Sequence, residues 1–301
     1  MFWWAIPLEL PILAFSFIGL ISSIVFILVV VIHREFRQNL ILLLTINLSI
    51  GGLITCVSMI SQALYMIMQS EQDRLCPFRS YFYTAGGLYI FQAALLQTLH
   101  RLFITVFAHR RYWQNRCLFL SLALAQLLLC LLALLPLLLG NRFPYFPSTK
   151  ACYIALNDIF GVLYPAICFY FIPLILQSGL SYWILQHVAR ETRAGRAGMN
   201  IHKRINKERR VLARVALPVI LLLSVGLIFF VFFFGTILTN TQWEAPPYAL
   251  HLSFLGSSAA TGASMMANLF LYREVKKNIW LYLRCLWIHH EQNRIHILGH
   301  A

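Results

Sequence analysis

Charge is what this sequence has least of. Only 11% of its 301 residues are Asp, Glu, Lys or Arg, against roughly 25% in a soluble domain. With 60% of the chain apolar, that scarcity excludes a soluble enzyme, a disordered protein and a secreted disulfide scaffold. Acids are rarer still, 10 against 24 bases, and none falls in the middle of an apolar run. Intramembrane ionisable groups mark ion and proton pathways, so a transporter or channel lacks its usual signature here. Within the apolar runs there is no His-x-x-x-His pair, no paired carboxylate, no Ser/His/Asp grouping and no Gly-rich phosphate loop. Neither catalysis nor a cofactor is expected. His100, His187 and His251 fall on three different runs, so no shared metal site is expected either. No internal repeat points to an inverted-repeat transporter.

What is present is a set of seven long apolar runs, at about 6–32, 39–68, 76–108, 117–139, 160–188, 211–238 and 248–271. Each is long enough to cross a hydrocarbon core of about 30 Å at ~1.5 Å per residue. The runs are continuous rather than alternating, which predicts helices and not barrel strands. The expected fold is an all-α integral membrane bundle of seven spans over residues 1–272, followed by a cytoplasmic segment over 273–301. The opening MFWWAIPLEL has no Lys or Arg and no small-residue cleavage site, so it is expected to lead straight into the first span.

The net charge of +14 belongs to the joints between runs and needs no nucleic-acid partner. Eighteen basic residues lie in the joints after runs one, three, five and seven, and four (Arg74, Arg79, Arg142, Lys150) lie in the alternate joints. The positive-inside rule then puts the N-terminus outside and the C-terminus in the cytoplasm. The segment REVKKNIWLYLRCLWIHH after Tyr272 suits a helix lying on the inner membrane surface. Its Cys285 is a candidate for palmitoylation, with a free thiol as the plain alternative.

Two constellations stand out. Cys76 opens the third run and Cys152 lies between runs four and five, both on the oxidising side and without a competitor there; a bridge is expected. Seven residues, Leu102 to Ala108, separate Arg101 from the basic cluster that begins at His109 at the inner end of the third run. A snorkelling side chain is the plain reading; nearly two helical turns of depth favour a functional one.

Seven runs with this cysteine pair and this arginine resemble the rhodopsin-like (class A) G-protein-coupled receptors over essentially the whole chain. That family's Asp-Arg-Tyr stands here as His100-Arg101-Leu102, 25 residues after Cys76. Its Asn-Pro-x-x-Tyr reads Asn268-Leu269-Phe270-Leu271-Tyr272, and its Asn-Leu-Ala-x-Ala-Asp-Leu reads Asn47-Leu48-Ser49-Ile50-Gly51-Gly52-Leu53. Pro136 and Pro173 match prolines of its fourth and fifth helices. The resemblance implies a plasma-membrane receptor passing the binding of an extracellular small molecule or peptide to a heterotrimeric G protein. The activation switch would comprise Arg101, His100, Asn268, Tyr272 and Glu208. Glu208 would latch Arg101 in the resting state, or else simply favour a helix N-terminus. Departures are expected to matter: Gly52 replaces the acid of a sodium site, Tyr83 the acid that binds amines, and Gly262 the retinal lysine. Pro218 is the only proline of the sixth run. Tyr65, Tyr83, Thr84, Gly87, His251 and Ser258 are candidate pocket residues, each of which could instead be packing. A receptor fold that no longer couples is the alternative, with a transporter behind it.

Overall fold

A computed structural model of the chain describes residues 6–68, 74–107, 115–147, 150–155, 158–193 and 247–272, with positions 216, 219–221, 223, 227, 230–235, 238 and 275. The long helices are α1 (Ile6–Ile32), α3 (Leu40–Met68), α4 (Cys76–Thr105), α5 (Arg116–Leu139), α7 (Ile172–Arg193) and α8 (Pro247–Leu271). A short α2 (Arg34–Gln38) turns the chain between α1 and α3, and α6 (Ile159–Pro165) runs through a π-helical segment, Ala166–Phe171, into α7. Among the described residues, four stretches are long and apolar enough to cross a membrane: Pro7–Ile32, Leu40–Met68, Arg116–Leu139 and Ile159–Arg190. Helices α4 and α8, 30 and 25 residues long, have comparable length and a more polar composition. The described positions of the sixth apolar run are helical. Most of that run, the basic segment before it with Glu208, and the C-terminal segment with Cys285 lie outside the described residues.

Local chemistry sets the helix ends. Asn115 caps α5 by accepting from the Cys117 N–H at 3.1 Å, and Asp158 caps α6 by accepting from the Gly161 N–H at 3.1 Å. At the other end of α5, Asn141 takes a left-handed φ of 51°. Its N–H reaches the Leu138 carbonyl at 3.1 Å and that of Arg142 reaches Leu137 at 2.9 Å. This is a Schellman stop with Asn in the place glycine usually takes. Arg142 then pairs with Asp158 at 3.0 Å, tying the end of α5 to the start of α6.

Polarity is distributed as in a membrane protein. Large apolar side chains such as Ile21, Leu28, Leu124, Leu132 and Ile175 are exposed, while Ser23, Thr45, Asn47, Thr55, Thr98, His100, Arg101, Ser264 and Asn268 are buried. In water this would leave an extensive apolar surface; in lipid it is the favourable arrangement. α1 packs against α3 and α8, α3 against α4, and α4 against α5 and α7. Small residues bring backbones together. A Cβ on Gly86 of α4 would sit 2.8 Å from the Thr55 nitrogen of α3, and one on Gly19 of α1 would sit 3.1 Å from Gly262 Cα of α8. The place a side chain at Gly52 would take is filled by the Met265 thioether, 2.4 Å from such a Cβ.

The π-helical segment lies between Pro165 and Pro173. Pro173 has no N–H for the carbonyl four residues back and its ring crowds that carbonyl, a conflict that a widened turn relieves. The widened turn carries the buried Phe169 and Tyr170 into the packing around α4.

Candidate functional site

The cysteine pair closes one end of the bundle. Cys76 is the first residue of α4 and Cys152 lies on β2 (Ala151–Cys152), which pairs antiparallel with β1 (Tyr145–Phe146). Cys76 and Cys152 are disulfide-bonded, with their Cα atoms 5.5 Å apart. The Ser80 hydroxyl, one turn along α4, donates to the Cys152 carbonyl. Phe146 stacks on Tyr153 at 4.1 Å, which extends the roof by two rings.

Beneath that roof is a cavity of about 220 Å³. Ser80, Tyr83, Thr84, Gly87, Leu88 and Phe91 of α4 form one wall, and Leu250, Ser253, Phe254, Ser257 and Thr261 of α8 face them. Val162, Pro165, Ala166 and Tyr170 close a third side, with Phe230 of the sixth run beside them. Aromatic edges knit the walls: Phe91 meets Tyr170 edge-on at 4.7 Å, Tyr170 meets Phe230 at 6.0 Å, and Tyr83 meets Phe254 edge-on at 5.5 Å. A concave, mostly apolar space with a few converging hydroxyls is the usual form of a small-molecule site.

Most of those hydroxyls are already engaged. Tyr83 donates to the Ser257 hydroxyl at 2.9 Å, Thr84 to the Ser80 carbonyl at 2.8 Å, and Tyr170 to the Leu223 carbonyl at 3.3 Å. Thr261 differs. It is buried, lines the cavity, and its hydroxyl oxygen has no hydrogen-bond partner among the described residues.

The far end of α4 carries Arg101, buried, with the Thr105 hydroxyl donating to its carbonyl at 2.8 Å. The His100 ring meets Phe119 of α5 edge-on at 4.7 Å. Asn268 is buried on α8. The Tyr272 hydroxyl lies 2.8 Å from that of Thr45, whose single proton goes to the Ile41 carbonyl at 2.9 Å; Tyr272 is therefore the donor. Gln97 reaches across to the Leu44 carbonyl of α3 at 3.1 Å near the same end.

Of the six candidate pocket residues, Tyr83, Thr84 and Gly87 line the cavity. The other three sit elsewhere. The Tyr65 ring carries the Arg79 guanidinium 3.6 Å above it. The Ser258 hydroxyl turns back to the Leu255 carbonyl at 2.9 Å. His251 faces Glu9 of α1, Nε2 to Oε1 3.8 Å, with both side chains buried. Each lies at the expected level of the bundle but on another face of its helix. The hydroxyl row Ser253, Ser257 and Thr261 was not anticipated, although its four-residue spacing puts all three on one face of α8. The chain matches no protein-family model and no curated protein.

Proposed function

We propose that this chain is a G-protein-coupled receptor of the rhodopsin-like kind, with seven spans, an outer N-terminus and a cytoplasmic C-terminus. Its ligand occupies the cavity under the disulfide-pinned hairpin, and its G protein docks at the Arg101 end. One observation carries this reading: a single helix, α4, bears the disulfide, a cavity wall and the buried Arg101. From Tyr83 to Arg101 is eighteen residues, about 27 Å along the helix axis.

The mechanism this supports is a shift between two packings of the bundle. A ligand changes their populations only by binding one better than the other, and a hundredfold preference is worth about 2.7 kcal/mol. In the resting packing Tyr272 is held by Thr45 and by the Phe26 ring, whose centroid is 5.9 Å away. Activation would release Tyr272 and expose Arg101 to the G protein. The test is nucleotide exchange on G protein in membranes containing wild type or Arg101→Ala. Exchange that the substitution abolishes supports the receptor; equal exchange in both overturns it. His100 packed on Phe119 favours a second reading, a receptor fold that has ceased to couple. It predicts no exchange above empty membranes with any G-protein family.

A further inference from the structure

The cavity's lining restricts what it can hold. No Asp, Glu, Lys, Arg or His is among the described lining residues. Among the described residues, the buried charges at this end of the bundle are engaged elsewhere: Glu9 faces His251, and Arg79 lies over Tyr65 with its Nη1 3.3 Å from the Ser61 carbonyl. An ion placed in the cavity would lose its hydration and find no counter-charge. A neutral molecule loses far less.

Shape and hydrogen bonding narrow the class further. A cavity of about 150 Å³ is enough for benzene, so 220 Å³ suits one or two rings. Aromatic edges from Tyr83, Phe91, Tyr170, Phe230 and Phe254 suit a flat ring. Thr261 supplies a buried hydroxyl without a partner among the described residues. One turn away, the Ser257 oxygen accepts from Tyr83 and keeps its own proton to give. Two donors on one helix face call for a hydrogen-bond acceptor on the ligand.

We infer that the cavity binds an uncharged molecule of one or two rings, whose oxygen acceptor is held by the Thr261 and Ser257 hydroxyls. This rests on the receptor reading for its biological meaning and deepens it by naming the ligand class. Binding itself is independent of coupling.

The experiment uses the purified full chain in lipid nanodiscs and four matched probes: 1-tetralone, tetralin, 1-aminotetralin and tetralin-1-carboxylate. Binding is read by calorimetry and by ligand-observed NMR. Two variants define the site. A Cβ on Gly87 meets nothing within 4 Å, so Gly87→Phe projects a ring into the cavity without a backbone clash. Thr261→Val removes the hydroxyl and keeps the shape. Signal that persists in Gly87→Phe is partition into lipid and is subtracted.

Tetralone is expected to bind wild type with a Kd of about 1 mM or tighter, as its few heavy atoms allow. Thr261→Val should weaken it about tenfold, the worth of one buried hydrogen bond, and leave tetralin unchanged. The ammonium and carboxylate probes should bind at least about tenfold more weakly than tetralone. The inference is overturned if neither neutral probe binds in a Gly87→Phe-sensitive way, if either ion binds as well as tetralone, or if Thr261→Val leaves tetralone unaffected. Cavity binding without nucleotide exchange would retain the inference and refute the receptor reading. Exchange with no neutral-probe binding would do the reverse.

Discussion

Gly86 and Gly87 are neighbours on α4 with opposite surroundings, and alanine at each separates close helix packing from open cavity. A Cβ at Gly86 would lie 2.6 Å from the Thr55 hydroxyl and 2.8 Å from the Thr55 nitrogen. Neither can yield: one is backbone, and the other is tied to the Gly51 carbonyl at 2.9 Å. Bringing the 2.8 Å contact to an ordinary 3.4 Å opens the α3–α4 seam by about 0.6 Å, a gap that forfeits roughly a quarter to a half of each dispersion contact. Overpacking of this kind costs about 1–3 kcal/mol. Alanine returns up to ~1 kcal/mol of helix preference over glycine, so Gly86→Ala should come out about 0–2 kcal/mol less stable than wild type. Gly87→Ala makes no such contact and keeps the whole gain, about 0.5–1 kcal/mol. Thermal unfolding followed with a thiol-reactive dye reads both, because Cys56 and Cys130 are buried until the bundle opens; exposed Cys117 sets the baseline. Gly86→Ala as stable as Gly87→Ala would refute the packing argument.

Three further outcomes follow from the same geometry. Cys76→Ser, Cys152→Ser and the double variant should each lose about 2–4 kcal/mol, since the bridge closes a long loop; a double variant much worse than either single would deny the bond. Tyr89→Phe should cost about 1–3 kcal/mol in the same melt, because its hydroxyl joins Asn47 of α3 to α4 and contacts the Ala123 carbonyl of α5 at 3.2 Å, and the buried Asn47 oxygen would lose its donor. Thr45→Val removes the acceptor of Tyr272 and should raise basal G-protein recruitment at matched surface expression; an unchanged or lower level would count against Tyr272 as a resting-state contact.

Length and hydropathy alone place the helices well, because an unbroken apolar run of 25 residues or more leaves the backbone little alternative in lipid. The Schellman stop at Gly140–Asn141 and the caps at Asn115 and Asp158 are also local and legible. Which way each residue faces is another matter. Runs apolar on all sides carry little periodicity, so a level in the bundle can be read from sequence while a face cannot. That is why Tyr83 and Gly87 line the cavity while His251, at a similar level, turns to Glu9. The widened turn at Ala166–Phe171 answers Pro173, and it brings Tyr170 to the cavity by a rotation that no spacing rule supplies. Thr261 is one of several small polar residues on α8, and only the four-residue spacing of the hydroxyls at 253, 257 and 261 sets its face apart. Arg101 was visible because a cation far from its basic cluster is conspicuous by energy alone.

The receptor account stands most directly on Arg101, and the measurement is G-protein recruitment in living cells. Wild type and Arg101→Ala are compared at equal surface expression, with the full set of G-protein families. The account predicts recruitment of at least one family by the wild type and its loss in the variant. Recruitment that survives Arg101→Ala undiminished would contradict it.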